Sequence, residues 1–220
     1  MTTLSFNSIL RLTYKLSYRD LHDMMAERGI VLAHTTILSW VQHYVPEFEK
    51  QWQRYLRQVG SSWRVDETYI RVKGRWTYLY KAVDKQGNTV DFLFSGHRDI
   101  AAAKCFFKKA IESQGIPEKI TLDGYAATHT AVRELKKSAI LPINVYVRTS
   151  KYLNNLIEQD HRRVKQRVYV MPGFKRFGNA AITISGIELA HKIKKEQFDL
   201  SGLGVDEGKV PQIWKAVLAV

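Results

Sequence analysis

"SSWRVDETYIRVKGRWTYLYKAVD", residues Ser61 to Asp84, reads as two β runs folded back on each other. Valine, isoleucine, tyrosine and tryptophan recur on both sides of the short turn "KGR", the composition and punctuation of a hairpin. The first run breaks its own pattern. Asp66 and Glu67 stand side by side in its middle, where strands disfavour acids. Side chains alternate along a strand, so the two are expected on opposite faces, with only one able to enter any given site.

Outward from this hairpin, strands are expected at 63–72, 76–83 and 89–95, with "DKQGN" as the second turn. Next come a helix over "DIAAAKCFFKKAIESQGIP", a short strand "KITLDG" ending in Asp123, a helix over "YAATHTAVRELKKSA" and a strand "INVYV". Helices over "NNLIEQDHRRVKQRV" and "NAAITISGIELAHKIKKEQ" complete the series. Hairpin strands followed by alternating helices and strands predict an α/β fold, a mixed sheet with helices on its faces.

Before residue 60 the hydrophobic period is helical. Ser17 suits an N-cap, Asp20 stands three positions later, and Gly29 suits the position past the helix end. Ile37, Trp40, Val41 and Tyr44 form a second stripe, which Pro46 is expected to end. Residues 6–15 would supply a preceding helix. Two short helices joined by a tight turn, after a third, are the layout of a helix-turn-helix. Its second helix would present Thr35, Thr36, Ser39, Gln42 and His43 to phosphates and base edges. The predicted organisation is a helix-turn-helix domain over 1–50, a linker over 51–62, an α/β core over 63–198 and a tail over 199–220.

Charge narrows the partners. Lys and Arg number 34 against 21 Asp and Glu, a net +13, which points to a polyanion such as nucleic acid. Between Arg148 and Arg176 eight basic residues face two acids, Glu158 and Asp160. No run approaches the roughly 18 apolar residues of a membrane helix. The N-terminus lacks the pattern of a signal peptide. The single Cys105 excludes an internal disulfide and a cysteine zinc cluster, and suits a reducing cytoplasm.

Three acids stand out by position: Asp66 mid-strand, Asp123 at a strand end, and Glu158 inside a helix, with 34 residues between it and Asp123. Carboxylates converging from separate elements repel one another unless a cation compensates. Mg²⁺ is the hard cation that carboxylates hold beside phosphates, and two such ions would clamp a phosphoryl transfer. The helix stripe Glu158, His161, Arg162 and Lys165, with Asn154 and Asn155 one turn earlier, would add phosphate binders and polar positioners on one face. Asp84 is the rival ligand. His97 and His129 read as structural, and Trp63, Trp76, Tyr78 and Tyr80 as core or helix-packing aromatics.

These segments, "WRVDETYIRVKGRWTYLYKAVD", "LDGY" and "NNLIEQDHRRVKQR", resemble the small DDE transposases of the insertion-sequence-six family, from "SYRDLHDMMAERG" to "GIELAHKIKK". The resemblance implies a ribonuclease-H-like core behind a helix-turn-helix. It implies Asp66, Asp123 and Glu158 as catalytic acids on two Mg²⁺ ions, with Mn²⁺ as a substitute. Lys165 matches the basic residue expected to contact the element's terminal DNA. The implied partners are double-stranded DNA, as terminal inverted repeats and as target, and a second copy of the chain or more. Where many relatives follow the second Asp with a Lys and an Ala-Pro pair, this chain has "DGYAATHT". The alternative is a DNA-binding regulator or degenerate transposase that occupies terminal repeats without catalysis.

Overall fold

The computed structural model describes residues 15–150, 155–171, 173–199 and 201. In chain order the elements are α1 (Tyr18–Ala26), α2 (His34–Trp52), a 3₁₀ turn (Gln53–Tyr55), β1 (Ser62–Val72), β2 (Arg75–Val83), β3 (Thr89–Ser95), α3 (Ile100–Gln114), β4 (Lys119–Leu122), α4 (Ala126–Lys137), β5 (Tyr146–Thr149), α5 (Asn155–Tyr169) and α6 (Phe177–Lys194). They fall into two compact units, residues 58–163 and residues 1–57 with 164–220. The chain passes from one to the other within α5.

The unit of residues 58–163 is built on a five-stranded sheet in the order β3-β2-β1-β4-β5. β1, β2 and β3 pair antiparallel, and β4 and β5 run parallel to β1. This is the ribonuclease-H-like arrangement. One face carries Trp63, Val65, Tyr80, Ala82 and Val90, packed with Phe106 and Phe107 of α3 and Val132 and Leu135 of α4. Tyr80 and Trp63 of the hairpin are thus core residues, as expected. β5 begins later than "INVYV" suggested. Val145 N–H closes a turn on the Pro142 carbonyl, which leaves Ile143 exposed and delays pairing with β4 until Tyr146.

Residues of the opposite parity face the other way. There Lys81, fully buried, lies directly across the β1–β2 ladder from Asp66. Its ammonium is 3.0 Å from the Asp160 carboxylate on α5. An ion pair in an apolar layer costs desolvation, and its partners depend on each other heavily.

The hairpin outruns its neighbours. β4 pairs with β1 only over Ser62–Arg64, and β3 reaches β2 only as far as Tyr78. Beyond Tyr69 and Tyr78 the chain is a two-stranded ribbon, closed by Lys73 and Gly74, both at positive φ. That pair of left-handed residues is the turn that matches strand twist.

In the other unit, α1 carries the expected capping box. Ser17 Oγ accepts the Asp20 amide, and the Asp20 carboxylate accepts the Ser17 amide. Gly29, at φ 74°, turns the chain toward α2. Pro46 does not end α2, which runs on to Trp52. The buried stripe explains this: Ile37, Val41, Val45, Phe48 and Trp52 continue past the proline. Burial of two aromatics, worth about 1.5–3 kcal/mol each, offsets the roughly 3 kcal/mol penalty of an interior proline. Residues within the expected linker are ordered. Leu56 bridges Phe198, and Arg57 N–H donates to the Gln197 carbonyl at 2.9 Å. Most of the helix expected over 6–15 lies outside the described residues, as does nearly all of the tail.

The Lys81–Asp160 pair yields a stability prediction. Lys81→Met and Asp160→Leu should each cost about 3–5 kcal/mol in urea unfolding. The double variant should recover much of that loss. Additive losses in the double variant would mean that the two residues are not coupled.

Candidate active site

β1 and β4 are adjacent and parallel, and β4 stops first. Their last pair is Arg64↔Thr121, and Asp123 follows the end of β4 directly. Asp66 and Glu67 therefore sit on a stretch of β1 with no β4 residue beside it. The pleat sends their Cβ atoms to opposite faces. The free strand edge nevertheless lets both carboxylates reach round toward Asp123. One oxygen from each of Asp66, Glu67 and Asp123 lies within 4.8 Å of the other two. The expectation that only one of the adjacent acids could enter the site is corrected on this point. Among the described residues no other trio of acidic, histidine or cysteine side chains comes so close.

Each acid is held differently. Asp123 Oδ1 accepts the Tyr125 amide at 3.0 Å, and its carbonyl receives His129 Nε2 at 2.7 Å. His129 is thus structural. Glu67, its side chain only 2% exposed, is clasped by Arg98, whose Nε donates at 2.8 Å. The Arg98 guanidinium lies 3.7 Å over the Tyr125 ring, and the Tyr125 hydroxyl donates to the Arg98 carbonyl. Arg98 so ties β1 to the start of α4. Burial raises the Glu67 pKa, the Asp123 and Asp66 charges raise it further, and Arg98 pulls it back. Burial likewise pushes the Tyr80 hydroxyl up, helped by the Glu67 charge. Asp66 meets α5: His161 Nε2 is 3.4 Å from its Oδ2.

The helix stripe read from sequence divides. Ile157, Asp160, His161, Val164 and Arg167 form the buried face of α5. His161, expected at DNA, is 5% exposed and lies against Asp66 instead. Glu158, Arg162 and Asn155 are exposed, and Asn154 lies outside the described residues. Glu158 lies outside the carboxylate trio, one helical turn before the His161 contact. Lys165 follows on the same helix, half-buried, among the residues of the other unit. On α2, Thr35, Ser39 and His43 share an exposed face and Thr36 is half-buried. Gln42 is turned inward, donating to the Asn179 carbonyl at 3.2 Å on α6.

Asp84 is no rival ligand. Its carboxylate is occupied by the amides of Gly60, Gln86 and Asn88 and by the Asn88 side chain, which makes it the organiser of the β2–β3 turn. His97 is exposed and is not a member of the trio. The sequence reading missed Arg98, Tyr125, Lys81 and Asp160. A buried lysine at mid-strand, directly across from an acid, was the legible signal for the last two.

Two acids on the unpaired stretch of β1 and a third just past the end of β4, on a sheet of this order, are the arrangement of a DNA-joining enzyme of the DDE class. The chain belongs to the DDE transposases of insertion-sequence-six type. The family model described as "DDE domain" matches residues 60–197, a span that crosses both compact units. The chain is 39% identical over 185 residues to the transposase for insertion sequence-like element IS431mec of Staphylococcus aureus strain Mu50, covering 84% of this chain and 81% of that one. It is 38% identical over the same length to the transposase for IS257 in transposon Tn4003 of Staphylococcus aureus, with the same coverage. Among solved structures it is similar to the HTLV-2 integrase catalytic core domain in complex with magnesium, at 19% identity and a TM-score of 0.43, over 72% of this chain and 98% of that one. No helix among the described residues is long and apolar enough to cross a membrane.

The donor set fits a divalent cation. It consists of carboxylate oxygens alone, the hard ligands that Mg²⁺ and Mn²⁺ take.

The Arg98–Glu67 clasp can be tested without activity. Arg98→Ala leaves a buried carboxylate with one partner fewer and should cost about 1–3 kcal/mol at neutral pH. Glu67 already has a raised pKa, so protonation favours the folded state. The loss should therefore shrink as pH falls through the raised carboxylate value, and Glu67→Gln should rescue the Arg98→Ala variant at neutral pH. Thermal unfolding of metal-free protein at pH 7 and pH 4.5 reads both effects. A loss independent of pH would refute the clasp.

Proposed function

We propose that Asp66, Asp123 and Glu158 hold two Mg²⁺ ions, with Mn²⁺ as a substitute, and that the chain cuts and rejoins DNA at the ends of its own mobile element. The observation that carries this reading is the convergence of Asp66, on the stretch of β1 that β4 leaves unpaired, with Asp123, just past the end of β4. Bound there, the cations would polarise the scissile phosphate and favour the deprotonated nucleophile. Asp123 is held by its Asx turn onto Tyr125 and Asp66 lies against His161, which favours acids pre-positioned for the charge that develops. Water is the first nucleophile and frees a 3′-hydroxyl. That hydroxyl then attacks a target phosphodiester in line, and the target's own 3′-oxygen leaves with the proton balance closed by solvent.

Binding is assigned to other parts of the chain. Thr35, Ser39 and His43 form the exposed face of α2 available to a terminal inverted repeat. Arg162 and Lys165 supply phosphate contacts from α5. Pairing two element ends needs two active sites, so the working form is a homodimer or larger on DNA, at the bacterial nucleoid.

Asp66→Asn, Asp123→Asn and Glu158→Gln should each reduce cleavage and strand transfer of a labelled element end to background, with thermal stability and DNA binding retained. An active Glu158→Gln beside an inactive Glu67→Gln would move the third ligand to Glu67. Normal activity in Asp66→Asn or Asp123→Asn would overturn the reading.

Lys165→Ala should weaken binding of end DNA and lower the slope of log affinity against log salt by about one unit, because one fewer counterion is released. Binding isotherms at several salt concentrations check this. An unchanged slope would show that Lys165 makes no phosphate contact.

A further inference from the structure

The outer hairpin carries a surface that neither the fold nor the acids require. Past the last β3 and β4 partners, the ribbon's two faces differ sharply. Ile70, Val72 and Thr77 are buried. The other face exposes Tyr69 and Trp76, each 51% accessible. The sequence pattern reads Trp76 as a core or helix-packing aromatic rather than a base-stacking platform. It is exposed because its stretch of β2 lies beyond the reach of β3.

The two rings pack edge to face at 4.9 Å, and the Arg71 guanidinium sits 5.1 Å from the Trp76 ring centre. Arg71, Lys73 and Arg75 are all exposed, and Tyr69 to Trp76 contains no acid. Aromatic faces flanked by cations on an exposed tip are the chemistry that binds single-stranded nucleic acid: stacking for the base, charge for the phosphate. A paired duplex offers base edges and phosphates but no ring face. An unpaired nucleotide offers all that this surface can use.

The location adds a second argument. Tyr69, Arg71 and Trp76 lie on the same sheet face as Glu67, continuing it outward. Tyr69 is three residues beyond Asp66, about 10 Å along an extended strand. Stacked nucleotides are spaced by about 3.4 Å, so the rings lie about three nucleotides from the acid cluster.

We propose that the Tyr69–Trp76 pair, with Arg71, Lys73 and Arg75, is a stacking site for an unpaired nucleotide of the DNA substrate, a few positions from the reacting phosphate. Trp76 provides the ring face, Arg71 braces that ring, and the tip cations hold the flanking phosphates. The site rests on the reading of the chain as a DNA-joining enzyme and adds a preference for frayed or single-stranded DNA beside the cleavage point.

The test uses the full chain without divalent metal, so that no chemistry intervenes. Binding is measured to a blunt duplex and to the same duplex with an overhang of about three nucleotides carrying 2-aminopurine. Wild type should bind the overhang DNA about tenfold more tightly, since base–aromatic stacking accounts for factors of that order. The 2-aminopurine emission should fall on binding. Trp76→Ala should erase both the preference and the quenching while leaving blunt-duplex affinity unchanged, and Trp76→Phe should keep most of each. Trp76 is exposed, so neither variant threatens the fold. Equal affinity of wild type for the two DNAs would overturn the stacking site alone. Failure to bind either DNA would overturn the DNA-joining reading and the site with it. A Trp76→Ala protein with unchanged DNA preference but smaller sedimenting species would assign the patch to contacts between copies and refute the proposal.

Discussion

The Lys81–Asp160 ion pair sets the position of α5 on the sheet. A helix held by aliphatic side chains alone can settle at more than one register, because ridges and grooves repeat every turn. A fully buried ammonium and a buried carboxylate at 3.0 Å admit one. The next residue on the helix, His161, then meets Asp66, which lies directly across the ladder from Lys81. Glu158 stands two residues before Asp160, so its place relative to the sheet is set by the same pair. Such a pair adds little net stability, since desolvation consumes most of the Coulomb gain. Its contribution is geometric.

A second constraint is the unequal length of neighbouring strands. Because β4 ends early, β1 has a free edge where Asp66 and Glu67 sit, and Asp123 is delivered to that edge. The repulsion among three gathered acids is partly met by Arg98, which spans Glu67 and the Tyr125 ring. The basic excess of the chain therefore has a local counterpart inside the site, separate from the exposed cations that would face DNA.

Much of the fold was legible because its signals are local. The hairpin runs, the glycine turns and the Ser17–Asp20 capping box each depend on residues within a few positions of one another, and each appears close to where the pattern placed it. The strand that carries Asp66 and the strand end that places Asp123 were legible for the same reason. What stayed hidden depends on distant partners. Pro46 reads as a stop until Phe48 and Trp52 are seen to be buried beyond it. Gln42 reads as an outward polar residue until α6 supplies the Asn179 carbonyl. His161 reads as part of a charged stripe until the sheet brings Asp66 to it. Trp76 reads as core because the sequence does not say how far β3 extends. Arg98 gave no signal at all, since a lone arginine in a loop acquires its role only from Glu67 and Tyr125.

The two halves of the sheet differ in the loops that close them. The antiparallel half is joined by tight turns, so each of its pairings brings together residues already near in sequence. The parallel half must join Ser62 to Lys119 and hold that contact over three pairs. Chain-closure entropy is small for the first and large for the second, and non-local parallel pairing is intrinsically slow. The β1–β2–β3 meander can thus form early with Asp66 and Glu67 already in line, while Asp123 arrives with the last strands to dock. Assembly of the acid cluster is then a late step in folding, and a nascent or partly folded chain carries no competent cutting centre.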